Sequence, residues 1–185
     1  MATSETYVTK HLAAEITEIK SSIKASVHPE LSIYDKALIY KYSFDGYQEL
    51  NEKLRKTNGK NTSAYGKLLN EALNKLPNFF GLVYRKINLT RSQQSSYKKA
   101  LKDSTYRKEP AFISTSKNRN IANLLPGNTL FIISSKTGKD IGKIAKFGEE
   151  SSYNEFEVLF GPNKKFSVLD IEETSVLLTV IMEEI

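Results

Sequence analysis

"SAYGKLLNEALNKLPNFFGLVYRKINL", Ser63 to Leu89, changes its period halfway. In its first half Leu69, Ala72, Leu73 and Leu76 recur at steps of three and four, the spacing that lines one face of an α-helix. Pro77 stops that pattern, because it offers no N–H and its ring clashes with the preceding turn. Phe79–Leu89 is then apolar and β-branched and reads as a strand. The same division holds on either side. Upstream, "KHLAAEITEIKSSIKASV" places Leu12, Ile16, Ile19 and Ile23 on a helical stripe, and "SIYDKALIYKYSF" offers Leu38, Ile39 and Tyr42 to a core. Asp45-Gly46 reads as a turn into a helix with Tyr47, Leu50 and Leu54 on one face. Downstream, "SQQSSYKKALKD" is a short helical or loop excursion. "AFISTS", "TLFIISSK", "EFEVLF", "KFSVLDIEE" and "SVLLTVIMEE" are strands, with turns clearest at Pro126-Gly127-Asn128 and Gly161-Pro162-Asn163. Helices first and strands later point to an α+β chain. No linker or repeat interrupts it, so residues 1–185 are expected to form one domain, helical over 1–77 and β-rich over 78–185.

Composition removes several chemistries. The chain is 39% hydrophobic and 26% charged, as in an ordinary soluble globular protein. No apolar run has the length of a membrane span. The opening residues are polar and mixed in charge, without a secretory pattern, so export is expected to use a leaderless route. There is no cysteine, which excludes disulfides, thiol catalysis and thiolate zinc sites. With two histidines and no HExxH or GxSxG, metal and serine-hydrolase chemistry are not expected. No glycine-rich phosphate loop follows a strand, so a bound nucleotide must be held by side chains. The net charge is +6, concentrated in Lys53–Lys60 and Arg85–Lys108. Such a surface draws phosphates, nucleic acid or acidic proteins, or simply stays solvated.

Three features carry candidate chemistry. Arg85 interrupts the apolar strand "LVYRKINL". Ser114-Thr115-Ser116 closes the strand "AFISTS". In "SSYNEFEVLF", Ser151 to Phe160, Glu155 and Glu157 stand two apart, and on a strand they would share a face. Singly, each has a plain reading: an arginine snorkelling at a strand end, hydroxyls making local hydrogen bonds, a solvated acidic face.

In that order, Arg85, Ser114-Thr115-Ser116 and Glu155-x-Glu157 resemble the arginine–serine–glutamate signature of mono-ADP-ribosyltransferase toxins. "IYKYSFDGYQELNEKLR" resembles the entry helices of that family, "VYR" its first catalytic strand and "FISTS" its Ser-Thr-Ser strand. "GKDIGKIAKFGEESSYNEFEVLFGPNKKFSVLDIE" resembles its glutamate region, and the likeness runs from Ile33 to Ile171. The resemblance implies an α+β ADP-ribosyltransferase-toxin fold, two packed β-sheets with an N-terminal helical layer. It implies cleavage of the nicotinamide–ribose bond of NAD⁺ through an oxocarbenium-like sugar and transfer of ADP-ribose to an acceptor. By the same resemblance Glu157 grips the ribose beside the developing charge, Ser114 holds Glu157, and Arg85 contacts the NAD⁺ phosphate. Lys86, where the family often has glycine, together with Thr115, Ser116 and Arg119, would flank the cofactor. Glu155 and Tyr153 would meet the acceptor, and a glutamate at 155 favours arginine. The implied partner is a target protein's arginine, with RNA or a non-catalytic binding role as alternatives, an immunity or delivery partner besides, and no metal. The implied setting is a bacterial toxin or effector acting in the target-cell cytosol. Tyr42 and Tyr47 are candidates for ligand contacts or for the core. No aromatic follows Ser116 before Phe131, so the ring that covers the nicotinamide is not identified.

Overall fold

A computed structural model describes residues 3–185. The first part is helical: α1 (Ser4–His11), α2 (Ala13–Lys20), a 3₁₀ turn (Ile23–Ala25), α3 (Ile33–Lys41), α4 (Tyr47–Lys56) and α5 (Ala64–Lys75). Side-chain caps set several starts. Ser32 and Asp35 form a reciprocal capping box at α3, and Ser63 accepts from the Gly66 N–H at α5. The stripe expected through residues 10–27 holds only in part: Leu12 caps the break between α1 and α2 and is buried, Ile16 and Ile19 face inward from α2, and Ile23, in the 3₁₀ turn, is exposed because the helix has ended before it. Asp45-Gly46 does not make the expected turn. The chain instead widens into a π-helical turn (Tyr42–Gly46) that leads directly into α4. Gly46 suits this because an added Cβ would stand 2.8 Å from the Tyr65 hydroxyl.

The second part holds β1 (Phe79–Ile87), α6 (Arg91–Lys102), β2 (Tyr106–Glu109), β3 (Ile113–Ser116), α7 (Arg119–Leu124), β4 (Thr129–Asp140), β5 (Glu157–Phe160), β6 (Lys164–Glu173) and β7 (Leu178–Glu184). β2 and α7 are short elements that sequence reading passed over. All seven strands belong to one hydrogen-bonded network. Within it β2-β6-β7-β4-β1 form a broad layer, and β3-β5 form a narrow one. β4 joins the two layers, because Lys139 and Asp140 at its end pair with Leu159 and Val158 of β5. Every pairing is antiparallel except β4 with β7.

Two cores hold these layers together. Val83, Phe131, Ile133, Phe166, Val180 and Met182 of the broad layer bury against Ile113, Val158 and Phe160 of the narrow one. On its other side the narrow layer contributes Leu159, with Phe112 just before β3, to a core with Leu38, Ile39, Leu69 and Leu73 of the helices. Burial of apolar area at both contacts stabilises the assembly by roughly 25 cal/mol per Å². The narrow layer thus lies between the helices and the broad layer, as the α+β reading with two sheets and a helical layer requires. At the carboxyl end of β7, buried Glu184 accepts the backbone N–H groups of Lys136 at 2.8 Å and Thr137 at 2.6 Å, tying that strand to β4.

Candidate active site

β1 and β3 meet at a single register pair, Tyr84 opposite Ser116. Next to this contact lies a cavity of about 630 Å³. Its wall includes Arg85 and Lys86 from β1, Ser114, Thr115 and Ser116 from β3, and Tyr153, Glu155 and Glu157 from the loop before β5 and its first residue. Of the residues singled out in the sequence, only Arg119 stays away; it is exposed in the first turn of α7.

Glu157 is buried, 3% exposed. Burial pushes its pKa up to about 7; a hydrogen bond from Ser114 and the charge of Arg85 pull it down, and the neighbouring Glu155 pushes it up. The solvated-face reading of this acid is therefore wrong. Arg85, half-buried on β1, donates from its guanidinium to the Ser114 backbone carbonyl at 2.6 Å. Burial lowers its pKa, opposed by Tyr42, and a guanidinium so lowered is still a cation at neutral pH. Ser114 is thus held by the arginine on its backbone side, and its side chain is among the groups that hold the Glu157 pKa down.

The two acids do not share a strand face as expected. β5 begins at Glu157, and Phe156 adopts a left-handed conformation with φ 51°. This residue breaks the strand alternation, and Glu155 reaches the cavity from the loop. Its backbone is clamped on both sides: Ser116 Oγ donates to the Glu155 carbonyl at 2.7 Å, and the Glu155 N–H donates to the Phe147 carbonyl at 2.9 Å. The Asn118 N–H in turn donates to Ser116 Oγ at 3.0 Å. Glu155 is half-buried, and burial raises its pKa. Thr115 donates its hydroxyl to the Val158 carbonyl at 2.7 Å, so it stitches β3 to β5. Lys86 reaches the Asn123 carbonyl at 3.4 Å.

Helical residues complete the cavity; among them Tyr42 and Tyr47 are the two candidates for ligand contacts, and Phe44, Asn51 and Arg55 carry no expectation from the sequence. Tyr42 is 2% exposed yet faces the cavity, and Tyr47, Phe44, Asn51 and Arg55 line it too. Asn51 Nδ2 donates to the Tyr42 hydroxyl at 2.9 Å, and the Phe112 N–H donates to Asn51 Oδ1 at 3.1 Å. A polar residue on the buried face of α4, between Leu50 and Leu54, is the signal that could have found Asn51. Phe147 supplies a ring from the β4–β5 loop rather than from the loop after Ser116. Arg55 and Arg85 also line a second cavity of about 560 Å³, with Asn88, Gln93, Arg107 and Phe112 among its walls. Among the described residues no group of three or more His, Cys, Asp or Glu could hold a metal, and no helix is long and apolar enough to cross a membrane.

Comparison with known proteins agrees with this geometry. The sequence model of the family described as NAD:arginine ADP-ribosyltransferase matches residues 8–185. The chain is 33% identical over 144 residues to the NAD(+)–protein-arginine ADP-ribosyltransferase Tre1 of Pseudomonas putida, covering 76% of this chain and 27% of Tre1. It is 34% identical over 147 residues to the protein Mav of Mycobacterium avium, covering 77% of this chain and 16% of Mav. The chain thus spans about a quarter of the length of Tre1 and about a sixth of that of Mav. The crystal structure of the ADP-ribosyltransferase Vis in complex with agmatine superposes with a TM-score of 0.67 at 27% identity, over 92% of this chain and 82% of that one. The ADP-ribosyltransferase HopU1 of Pseudomonas syringae shares the fold, with a TM-score of 0.79 at 22% identity over 92% of this chain and 85% of its own.

Proposed function

The chain belongs to the NAD:arginine ADP-ribosyltransferase family, and from that premise we propose that it transfers ADP-ribose from NAD⁺ to an arginine of a target protein. One observation carries this reading: two carboxylates in different environments, Glu157 and Glu155, converge with Arg85 on one cavity. Residues 1–185 would act as a single catalytic domain, and the setting would be a bacterial effector or toxin acting in the cytosol of a target cell.

The chemistry divides between the two acids. Nicotinamide leaves NAD⁺ as a neutral base, so no strong acid is needed; positive charge develops on the ribose instead. Glu157, which lines the first cavity, would when ionised stabilise that charge and hold a ribose hydroxyl. Ser114 would fix the carboxylate's orientation. Arg85 and Arg55, shared by both cavities, would take the pyrophosphate, leaving the nicotinamide ribose in the first cavity and the adenosine in the second. Lys86 adds positive charge beside them. The acceptor guanidinium nitrogen attacks the anomeric carbon and loses one proton. Glu155, whose affinity for a proton burial has raised, would orient the guanidinium and accept that proton. Thr115 and Ser116 would act as scaffold rather than as ligands, since both hydroxyls are engaged with backbone carbonyls. Tyr153, 40% exposed at the cavity mouth, would contact the acceptor.

The test is direct. The protein is incubated with NAD⁺ alone, with NAD⁺ and agmatine, and with labelled NAD⁺ and a cell lysate. Nicotinamide release in the first, modified agmatine in the second and labelled protein in the third are expected. Label on RNA with none on agmatine would replace the arginine acceptor by a nucleic acid.

A further inference from the structure

The loop that carries Tyr153 and Glu155 is long, running from the end of β4 at Asp140 to the start of β5 at Glu157. Its base is tightly closed. The Glu155 N–H donates to the Phe147 carbonyl at 2.9 Å and the Glu149 N–H to the Gly142 carbonyl at 2.9 Å. Gly148 is pressed against the same strand end; a Cβ there would stand 2.0 Å from the Gly142 oxygen. The tip is otherwise self-contained, with Ser151 and Tyr153 bonded to Gly148 and Ser151. One side chain, among the described residues, ties this tip to another element. Glu150 forms an ion pair with Lys24, which sits in the 3₁₀ turn of the helical layer 126 residues away.

The anchor is built to be fixed at the helical end. Lys24 is 7% exposed, so its ammonium is largely removed from water and Glu150 is its carboxylate partner. The turn that bears it is held by a second buried lysine: Lys36 Nζ donates to the Ala25 carbonyl at 2.8 Å. A second tie, from Ser43 Oγ accepting the Lys146 N–H at 2.8 Å, steadies the loop nearer its base. Neither Lys24 nor Glu150 lines the catalytic cavity.

We propose that Lys24 is a positioning residue for the acceptor: through Glu150 it holds the loop tip so that Tyr153 and Glu155 present a guanidinium to the ribose. This rests on the arginine-transferase reading of the site. The ion pair acts on the loop that carries Tyr153 and Glu155, and it contacts none of Arg85, Ser114 and Glu157, so it governs transfer and leaves NAD⁺ cleavage by water alone. A small displacement of a positioned reactant costs far more in rate than the bond itself costs in stability.

Lys24→Met keeps the buried stem and removes the charge, and Glu150→Gln breaks the same pair from its exposed end. In both, agmatine modification is expected to fall roughly tenfold relative to acceptor-free NAD⁺ hydrolysis, with the agmatine KM raised and the NAD⁺ KM unchanged. Lys24→Arg should restore most of the ratio. Amide exchange over residues 148–154 should quicken in the two disrupting variants. An unchanged transfer-to-hydrolysis ratio, or parallel loss of both activities, overturns the positioning role while leaving the reading of the site intact. Wild-type protein that releases no nicotinamide overturns the reading itself, and unchanged exchange at the tip shows that Lys24 does not hold it.

Discussion

Arg85 and Ser114 are joined through the backbone of the serine, not its hydroxyl: the guanidinium donates to the carbonyl at 2.6 Å, and both residues line the cavity that holds Glu157. One arginine therefore braces the strand beside Glu157 while it faces both cavities. Since β1 and β3 share one register pair, this bond is a large part of what fixes their separation.

Replacing Arg85 by alanine should remove a charged contact to the dinucleotide phosphate. NAD⁺ affinity is expected to drop by roughly 1.5–3 kcal/mol, the range of hydrogen bonds to charged groups. Calorimetric titration measures it, and unchanged affinity would leave Arg85 as a brace alone.

Glu157→Gln keeps shape and removes charge. Hydrolysis and transfer should both fall by about 100- to 1000-fold, as when one preorganised electrostatic contact is lost from an active site. Circular dichroism should show the fold retained. Near-normal nicotinamide release would take Glu157 out of the mechanism.

Glu157 also gives the enzyme a pH signature. Only the carboxylate can face a sugar cation, so kcat/KM for NAD⁺ cleavage should rise with pH and level off above an apparent pKa of about 7. Stability should move the other way. The folded pKa lies above the ordinary 4.5, so between 4.5 and about 7 the native state keeps a proton that the unfolded chain has released. That stabilisation is full below the window and is lost as pH rises through it. Urea unfolding across this range should show the decline in the wild type, and Glu157→Gln should flatten it.

Glu155→Gln separates the two acids. Transfer to agmatine should fall by at least about tenfold while acceptor-free hydrolysis is largely kept, because water needs no general base of that strength or guanidinium steering. Paired assays of nicotinamide release and agmatine modification read the split. Equal loss of both would refute the division of labour.

Asn51→Ala should act on the fold before the chemistry. It leaves the buried Phe112 N–H without its acceptor and Tyr42 without its donor. Each unsatisfied buried group costs about 1–3 kcal/mol, so the urea midpoint should shift clearly.

Much of this was legible in the sequence because it rests on local periodicity. The change of period at Pro77 marks the boundary between helices and sheets, and every strand with an alternating or apolar run is present. Arg85, Ser114, Glu155 and Glu157 could be picked out because charges and hydroxyls break apolar strands. What was not legible depends on conformation or on distant contacts. The left-handed backbone at Phe156 has no sequence signal beyond a preceding asparagine, yet it decides that Glu155 belongs to a loop. Asp45-Gly46 carries the residues of a turn, and the tertiary setting keeps it helical. β2 has four residues, and its sequence, YRKE, carries no apolar alternation. Arg55, Phe44 and Phe147 enter the site only because the helical layer and the β4–β5 loop fold over one opening.

β7 comes last in chain order but lies between β4 and β6, parallel to the first and antiparallel to the second. Synthesis runs from the amino end, so β4 and β6 are both made before the strand that separates them exists. Until residues 178–184 are present, the broad layer is two fragments, β1-β4 and β2-β6, with unpaired edges. Closure of the broad layer is therefore a single event that waits for β7 rather than a gradual growth with the chain.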